Sequence, residues 1–186
     1  MVKRMEASTP TNFLADEATP ALVAATAELL LKKGWMLATA ESCTGGLIAG
    51  ACTDLAGSSA WFERGFVTYS NAAKTELLGV DAALIDAHGA VSEAVARAMA
   101  EGAVARSAAQ AAVAVTGVAG PTGGSPEKPV GTVWFGWSVG GQVRTERRRF
   151  EGDRAAVRAA TVHYALQTLV GLLGPRTDTT KEGPTT

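Results

Sequence analysis

The sequence is poor in cysteine: Cys43 and Cys52 are the only two in 186 residues. Their spacing matches no common zinc pattern, and one pair cannot staple a chain of this length, so a disulfide scaffold is excluded. Histidine is equally scarce. His88 and His163 have no ligand partner at metal spacing, so no metal is expected. Positive charge is not in excess, since 17 Lys and Arg face 18 Asp and Glu for a net charge of -1. That balance excludes a broad basic face for nucleic acid, although it allows one local basic pocket. There is no apolar run of about 18 residues and no signal-like start. No membrane partner is therefore expected, and the chain reads as cytoplasmic. Aromatics make up only 6%, and the abundant alanine and glycine allow close packing of elements.

What is present describes one globular domain. Hydrophobic residues reach 47%, an ordinary value. A domain of about 150 residues buries roughly 70% of its unfolded surface. Residues 1–16 are polar without periodicity and are expected to be flexible. Residues 174–186, with Pro175, Gly183, Pro184 and five threonines, are expected to form a disordered tail. Between them, residues 17–173 form the expected domain.

Thr19-Pro20 is a helix start, and Gly34 a stop. Strands are expected over residues 35–40, 62–69 and 111–116. Short helices follow over residues 47–53 and, capped by Asn71, through Leu78. A longer one runs from a Ser92 cap to Arg106. Residues 130–139 and 142–150 form a hairpin around Gly140-Gly141. Asp153 opens the last helix, and His88 before Gly89 reads as a helix C-terminal residue. Early alternation of helix and strand with a late hairpin predicts a three-layer α/β/α sandwich with a mixed, mainly parallel sheet.

Two glycine- and hydroxyl-rich loops leave the C-terminal ends of apolar strands, the edge where ligands bind open α/β sheets. The first is Ala40-Glu41-Ser42-Cys43-Thr44-Gly45-Gly46. It is either a plain helix cap with a tight turn, or a nucleophile turn whose amides stabilise an oxyanion. The second begins at Thr116-Gly117 and continues through Gly120 and Gly123 to Pro129. It is either a long connection or an amide cradle for a phosphate. Lys74 falls in the first turn of the helix after Asn71, where the helix dipole lowers its pKa toward that of a general base. Tyr69 can share the proton or orient that base. The alternative is a solvated lysine beside a core-edge tyrosine. The run Arg144 to Arg149 reads as charge on an exposed edge strand.

The first loop, then Gly57-Ser58-Ser59, and then Gly65-Phe66-Val67-Thr68-Tyr69-Ser70-Asn71 with Lys74, resemble the C-terminal domain of the competence-damage protein CinA. Its free-standing members are nicotinamide-nucleotide amidases. Ala114-Val115-Thr116-Gly117-Val118-Ala119-Gly120-Pro121, Lys128-Pro129-Val130-Gly131-Thr132-Val133 and Phe150-Glu151-Gly152-Asp153-Arg154 with Val157-Arg158 extend the likeness. It spans residues 22–173 and departs only at the tails. The N-terminal domain of full-length CinA proteins has no counterpart here, so a stand-alone amidase is expected. The resemblance implies hydrolysis of nicotinamide mononucleotide to nicotinate mononucleotide and ammonia. It implies Ser42 as nucleophile, assisted by Lys74 and Tyr69, without a cofactor. Thr44, Gly45 and Gly46 in the first loop and Thr116, Gly117, Gly120 and Gly123 in the second are the expected substrate contacts. A small-molecule nucleotide is the expected partner, and a homodimer the expected assembly. Two other readings are a non-catalytic nucleotide-binding or competence-related interaction module, and a cysteine hydrolase acting through Cys43.

Overall fold

A computed structural model describes residues 18–175. The expectations for residues 1–16 and for the tail beyond Pro175 lie outside the described residues. The first helix, α1 (Ala18–Lys33), carries Pro20 in its first turn, where a missing N–H costs nothing. It stops at Gly34, whose φ of 64° is left-handed. The remaining elements are β1 (Leu37–Glu41), α2 (Leu47–Asp54), β2 (Phe62–Val67), α3 (Asn71–Leu78), α4 (Ala82–His88), α5 (Glu93–Ala105), β3 (Ala111–Gly117), β4 (Thr132–Val139), β5 (Gln142–Arg149) and α6 (Arg154–Leu173).

The five strands form one mixed sheet in the order β2-β1-β3-β4-β5. β1 pairs in parallel with β2 and β3, and the β3–β4 and β4–β5 pairings are antiparallel. Four of the five strands therefore run one way, with β4 opposed. Alternation along β3 splits the interior into two cores. Ala111, Val113 and Val115 face α1, α2 and α6, while Ala112 and Ala114 face the layer of α3, α4 and α5. The result is the three-layer α/β/α arrangement. On the first face, Phe135 and Trp137 stack at 5.3 Å, and Trp137 Nε1 donates to the Ala165 carbonyl at 3.0 Å. This contact locks α6 onto the sheet and so aims its N-terminal end. β5 lies at the edge of the sheet, with Arg144, Arg147, Arg148 and Arg149 exposed, as expected of a charged edge.

Three boundaries differ from the sequence reading in ways that bear on the site. β1 continues through Glu41, which pairs with Val67 and Val115 on its two sides. β2 ends at Val67, because the carbonyls of Thr68 and Tyr69 turn to accept from Lys74. The cap of α3 is Ser70 and not Asn71: Ser70 Oγ accepts from Ala73 N at 3.0 Å. Lys74 thus sits one residue deeper in the helix than expected. α4, capped by Asp81, was not expected as an element, although its last residue His88 was read as a helix end.

Candidate active site

β1 is buried throughout and delivers the first loop into the interior. Ser42 N donates to the Val115 carbonyl at 3.0 Å, and Gly45 N closes a turn on the Ser42 carbonyl at 3.1 Å. Gly46 takes the N-cap position of α2 with a φ of 97° and offers no side-chain cap. The capping group is instead Glu41, fully buried at the end of β1. Its Oε2 accepts from Thr44 Oγ1 at 2.7 Å, Ile48 N at 3.0 Å and Gly46 N at 3.1 Å, and its Oε1 accepts from Ala49 N at 2.8 Å. The N–H groups of Gly45 and Gly46 are therefore already engaged within the loop.

Lys74 is 1% exposed. Its Nζ donates to the Thr68 carbonyl at 2.9 Å, to Ser42 Oγ at 3.2 Å and, more weakly, to the Tyr69 carbonyl at 3.4 Å. No salt bridge among the described residues includes Lys74. Burial pushes its pKa below the ordinary lysine value, and the neighbouring Cys43 acts in the opposite sense to a lesser degree. The helix dipole was the expected cause of a lowered pKa, whereas desolvation is the leading one. Ser42 is itself buried, so the serine and amine meet in a largely dry setting.

Cys43, next to the serine, is also buried, and that burial pushes its thiol up to about 12. A thiol held protonated is a poor nucleophile, which disfavours the cysteine reading. Burial raises the Cys52 thiol as well.

Tyr69 meets Lys74 through its backbone carbonyl. The residue is 61% exposed, and its hydroxyl accepts from Arg154 Nη2 at 3.1 Å. Arg154 Nη1 donates to the Gly120 carbonyl at 2.8 Å, joining the second loop to the first turn of α6. Gly120 has a φ of 82°, and that left-handed backbone presents its carbonyl to Arg154. One turn on, Arg158 Nη2 donates to the Thr44 carbonyl at 2.8 Å. The two arginines, with Ala119, Pro121 and Val130, line a pocket of about 620 Å³. Thr116 is buried and its hydroxyl donates to the Ala90 carbonyl at 2.9 Å. Gly117 is packed against the Thr132 carbonyl. Gly123 is exposed.

Sequence reasoning missed Glu41, Arg154 and Arg158 as site residues. An acidic residue closing an apolar strand was one available signal. Arg154 and Arg158 stand four apart on a helix, hence on one face, directly after an Asp cap.

Comparison with known proteins identifies the family. The CinA C-terminal domain family matches residues 19–173. Nicotinamide-nucleotide amidohydrolase PncC of Enterobacter agglomerans is 59% identical over 140 residues, which are 75% of this chain and 85% of that protein. The protein of the same name from Pseudomonas putida is 61% identical over 134 residues, covering 72% and 84%. Among solved structures, the competence/damage inducible protein CihA from Agrobacterium tumefaciens superposes with a TM-score of 0.84 at 47% identity. That match covers 87% of this chain and 99% of the other.

Proposed function

The chain belongs to the CinA C-terminal domain family, and we infer that it is a nicotinamide-nucleotide amidohydrolase in which Ser42 is the nucleophile and Lys74 the general base. It hydrolyses the carboxamide of a small-molecule nucleotide, as its relatives' names describe. The observation that carries the assignment of roles is the buried Lys74 Nζ 3.2 Å from Ser42 Oγ, with no salt bridge to a carboxylate among the described residues.

In this reading neutral Lys74 takes the Ser42 proton as Oγ attacks the carboxamide carbon. Negative charge gathers on the carbonyl oxygen. Because Gly45 and Gly46 donate within the loop, the N–H groups of Cys43 and Thr44 are the donors assigned to it. The protonated lysine then gives its proton to the departing nitrogen, and ammonia leaves with the C–N bond electrons. Water, activated by the same amine, cleaves the ester, giving nicotinate mononucleotide and free Ser42. No step calls for a metal or an organic cofactor. Tyr69 orients the base through its carbonyl, and its hydroxyl stands with Arg154 at the pocket rim.

The phosphate of the substrate is assigned to the pocket lined by Arg154 and Arg158, whose guanidinium groups suit bidentate contact with phosphate oxygens. Thr44, Gly45 and Gly46 form its proposed wall on the carboxamide side. Thr116, Gly117, Gly120 and Gly123 belong to the proposed wall on the second loop. A cytoplasmic location and a homodimer complete the reading. Among the described residues no helix is long and apolar enough to cross a membrane. Light scattering at about twice the chain's 19.0 kDa would support the dimer.

The test is direct. Purified protein and its Ser42→Ala variant are incubated with nicotinamide mononucleotide, and ammonia and nicotinate mononucleotide are quantified. Stoichiometric products from the wild type, and a loss of several orders of magnitude in Ser42→Ala, are expected. A wild-type protein that binds the nucleotide without releasing ammonia would make this a binding module.

A further inference from the structure

We propose that Glu41 is the positioning residue of the nucleophile turn. Its buried carboxylate gathers residues 44–49 around itself and so sets where Ser42 Oγ stands against Lys74 Nζ. The proposal rests on the reading of Ser42 as nucleophile.

A buried carboxylate is costly to keep ionised unless its oxygens are well supplied with donors. Glu41 has four, all within eight residues downstream of it. No salt bridge among the described residues includes it. Its charge is balanced by the N-terminal amides of α2, where the helix dipole favours an anion. A helix start alone does not need this device. A serine or asparagine at position 46 would satisfy the first amides locally, yet that position is Gly46 with no side-chain cap.

A cap that arrives from the preceding strand does something a local cap cannot. It ties both ends of the five residues 42–46 to one group. Ser42 N is held by Val115 and Gly45 N by the Ser42 carbonyl, while the amides of Gly46, Ile48 and Ala49 are held by the Glu41 carboxylate. The same residue also registers the other half of the site. Its carbonyl accepts from Thr68 N at 2.8 Å, and the Thr68 carbonyl in turn accepts from Lys74 Nζ. Glu41 is fully buried and stands behind the turn, so it acts through Ser42 and not on the substrate.

The side-chain role is tested with Glu41→Gln and Glu41→Ala in the full chain, beside Ser42→Ala. Gln can place its oxygen where Oε2 accepts three donors, but sets an NH2 group against Ala49 N–H. Expected is a fall in kcat of about tenfold for Glu41→Gln and about 100-fold for Glu41→Ala, the scale of a misplacement near 1 Å. KM for nicotinamide mononucleotide should stay within about threefold, since uniform binding is untouched. Labelling of Ser42 by a serine-directed sulfonyl fluoride should slow in parallel, while circular dichroism shows a native fold. If Glu41→Ala does not fold, Glu41→Gln decides. A folded Glu41→Gln with wild-type kcat and wild-type labelling overturns the proposal, as does a raised KM at unchanged kcat. With Ser42→Ala inactive, that result removes only the positioning role. An active Ser42→Ala removes the nucleophile assignment beneath it, and the proposal with it.

Discussion

Replacing Lys74 by Met is the most informative single perturbation, because it changes activity and the pH dependence of stability for one physical reason. Methionine can follow the lysine stem into its 1%-exposed position and carries no base. Removing a general base typically costs about 10²–10⁴ in rate, or roughly 2.7–5.4 kcal/mol of transition-state stabilisation. The stability effect has a definite direction. Burial holds the folded-state pKa of Lys74 below the ordinary 10.5. Between those two values the unfolded chain binds a proton that the folded chain does not. Wild-type stability therefore rises with pH across that window. The penalty of burying the amine is complete below the folded-state pKa and gone above about 10.5. Lys74→Met has no such penalty. Its stability relative to wild type should be greatest near neutral pH and should fall as pH climbs toward 10. The assay pairs ammonia release with urea unfolding of both proteins in the same buffers. An unfolding difference flat in pH, or a variant within tenfold of wild-type turnover, would refute the reasoning.

Other expectations follow from neighbouring groups. Wild-type kcat should rise with pH through a single ionisation below 10.5, read from an initial-rate profile. Lys74→Arg should be nearly inactive although it keeps a cation, since guanidinium does not deprotonate at working pH. Cys43→Ala should retain most activity, because its thiol is held protonated by burial; an inactive, folded variant would shift attention to sulfur. Arg154→Ala should raise KM for the nucleotide by about 10-fold or more while leaving the dephosphorylated nucleoside little changed, on the scale of one lost charged contact. Equal effects on both substrates would remove the phosphate assignment.

Much of this architecture was legible in the sequence because local patterns and global packing agree. The short, all-apolar stretch around Val113 read as a buried strand, and Ser92 and Asp153 announced the helices that follow them. α4 escaped because Ala82–His88 is too short to show an amphipathic stripe. The cap of α3 was misplaced by one residue because Ser70 and Asn71 are both good caps, and only the geometry at Ala73 N chooses between them. The place of Lys74 in the helix left a solvated lysine as the alternative, and the family resemblance singled it out; its burial was not readable, since lysines are mostly exposed. The roles of Glu41, Arg154 and Arg158 depend on contacts across layers. Arg158 meets Thr44 across 114 positions of chain, a separation that no local pattern encodes.

The central claim is that amide hydrolysis passes through a covalent bond to Ser42. Rapid acid quench during turnover of nicotinamide mononucleotide, followed by peptide mass spectrometry, tests it most directly. The account predicts a nicotinoyl-nucleotide adduct on the peptide carrying Ser42, absent from Ser42→Ala. An adduct on Cys43 would contradict it.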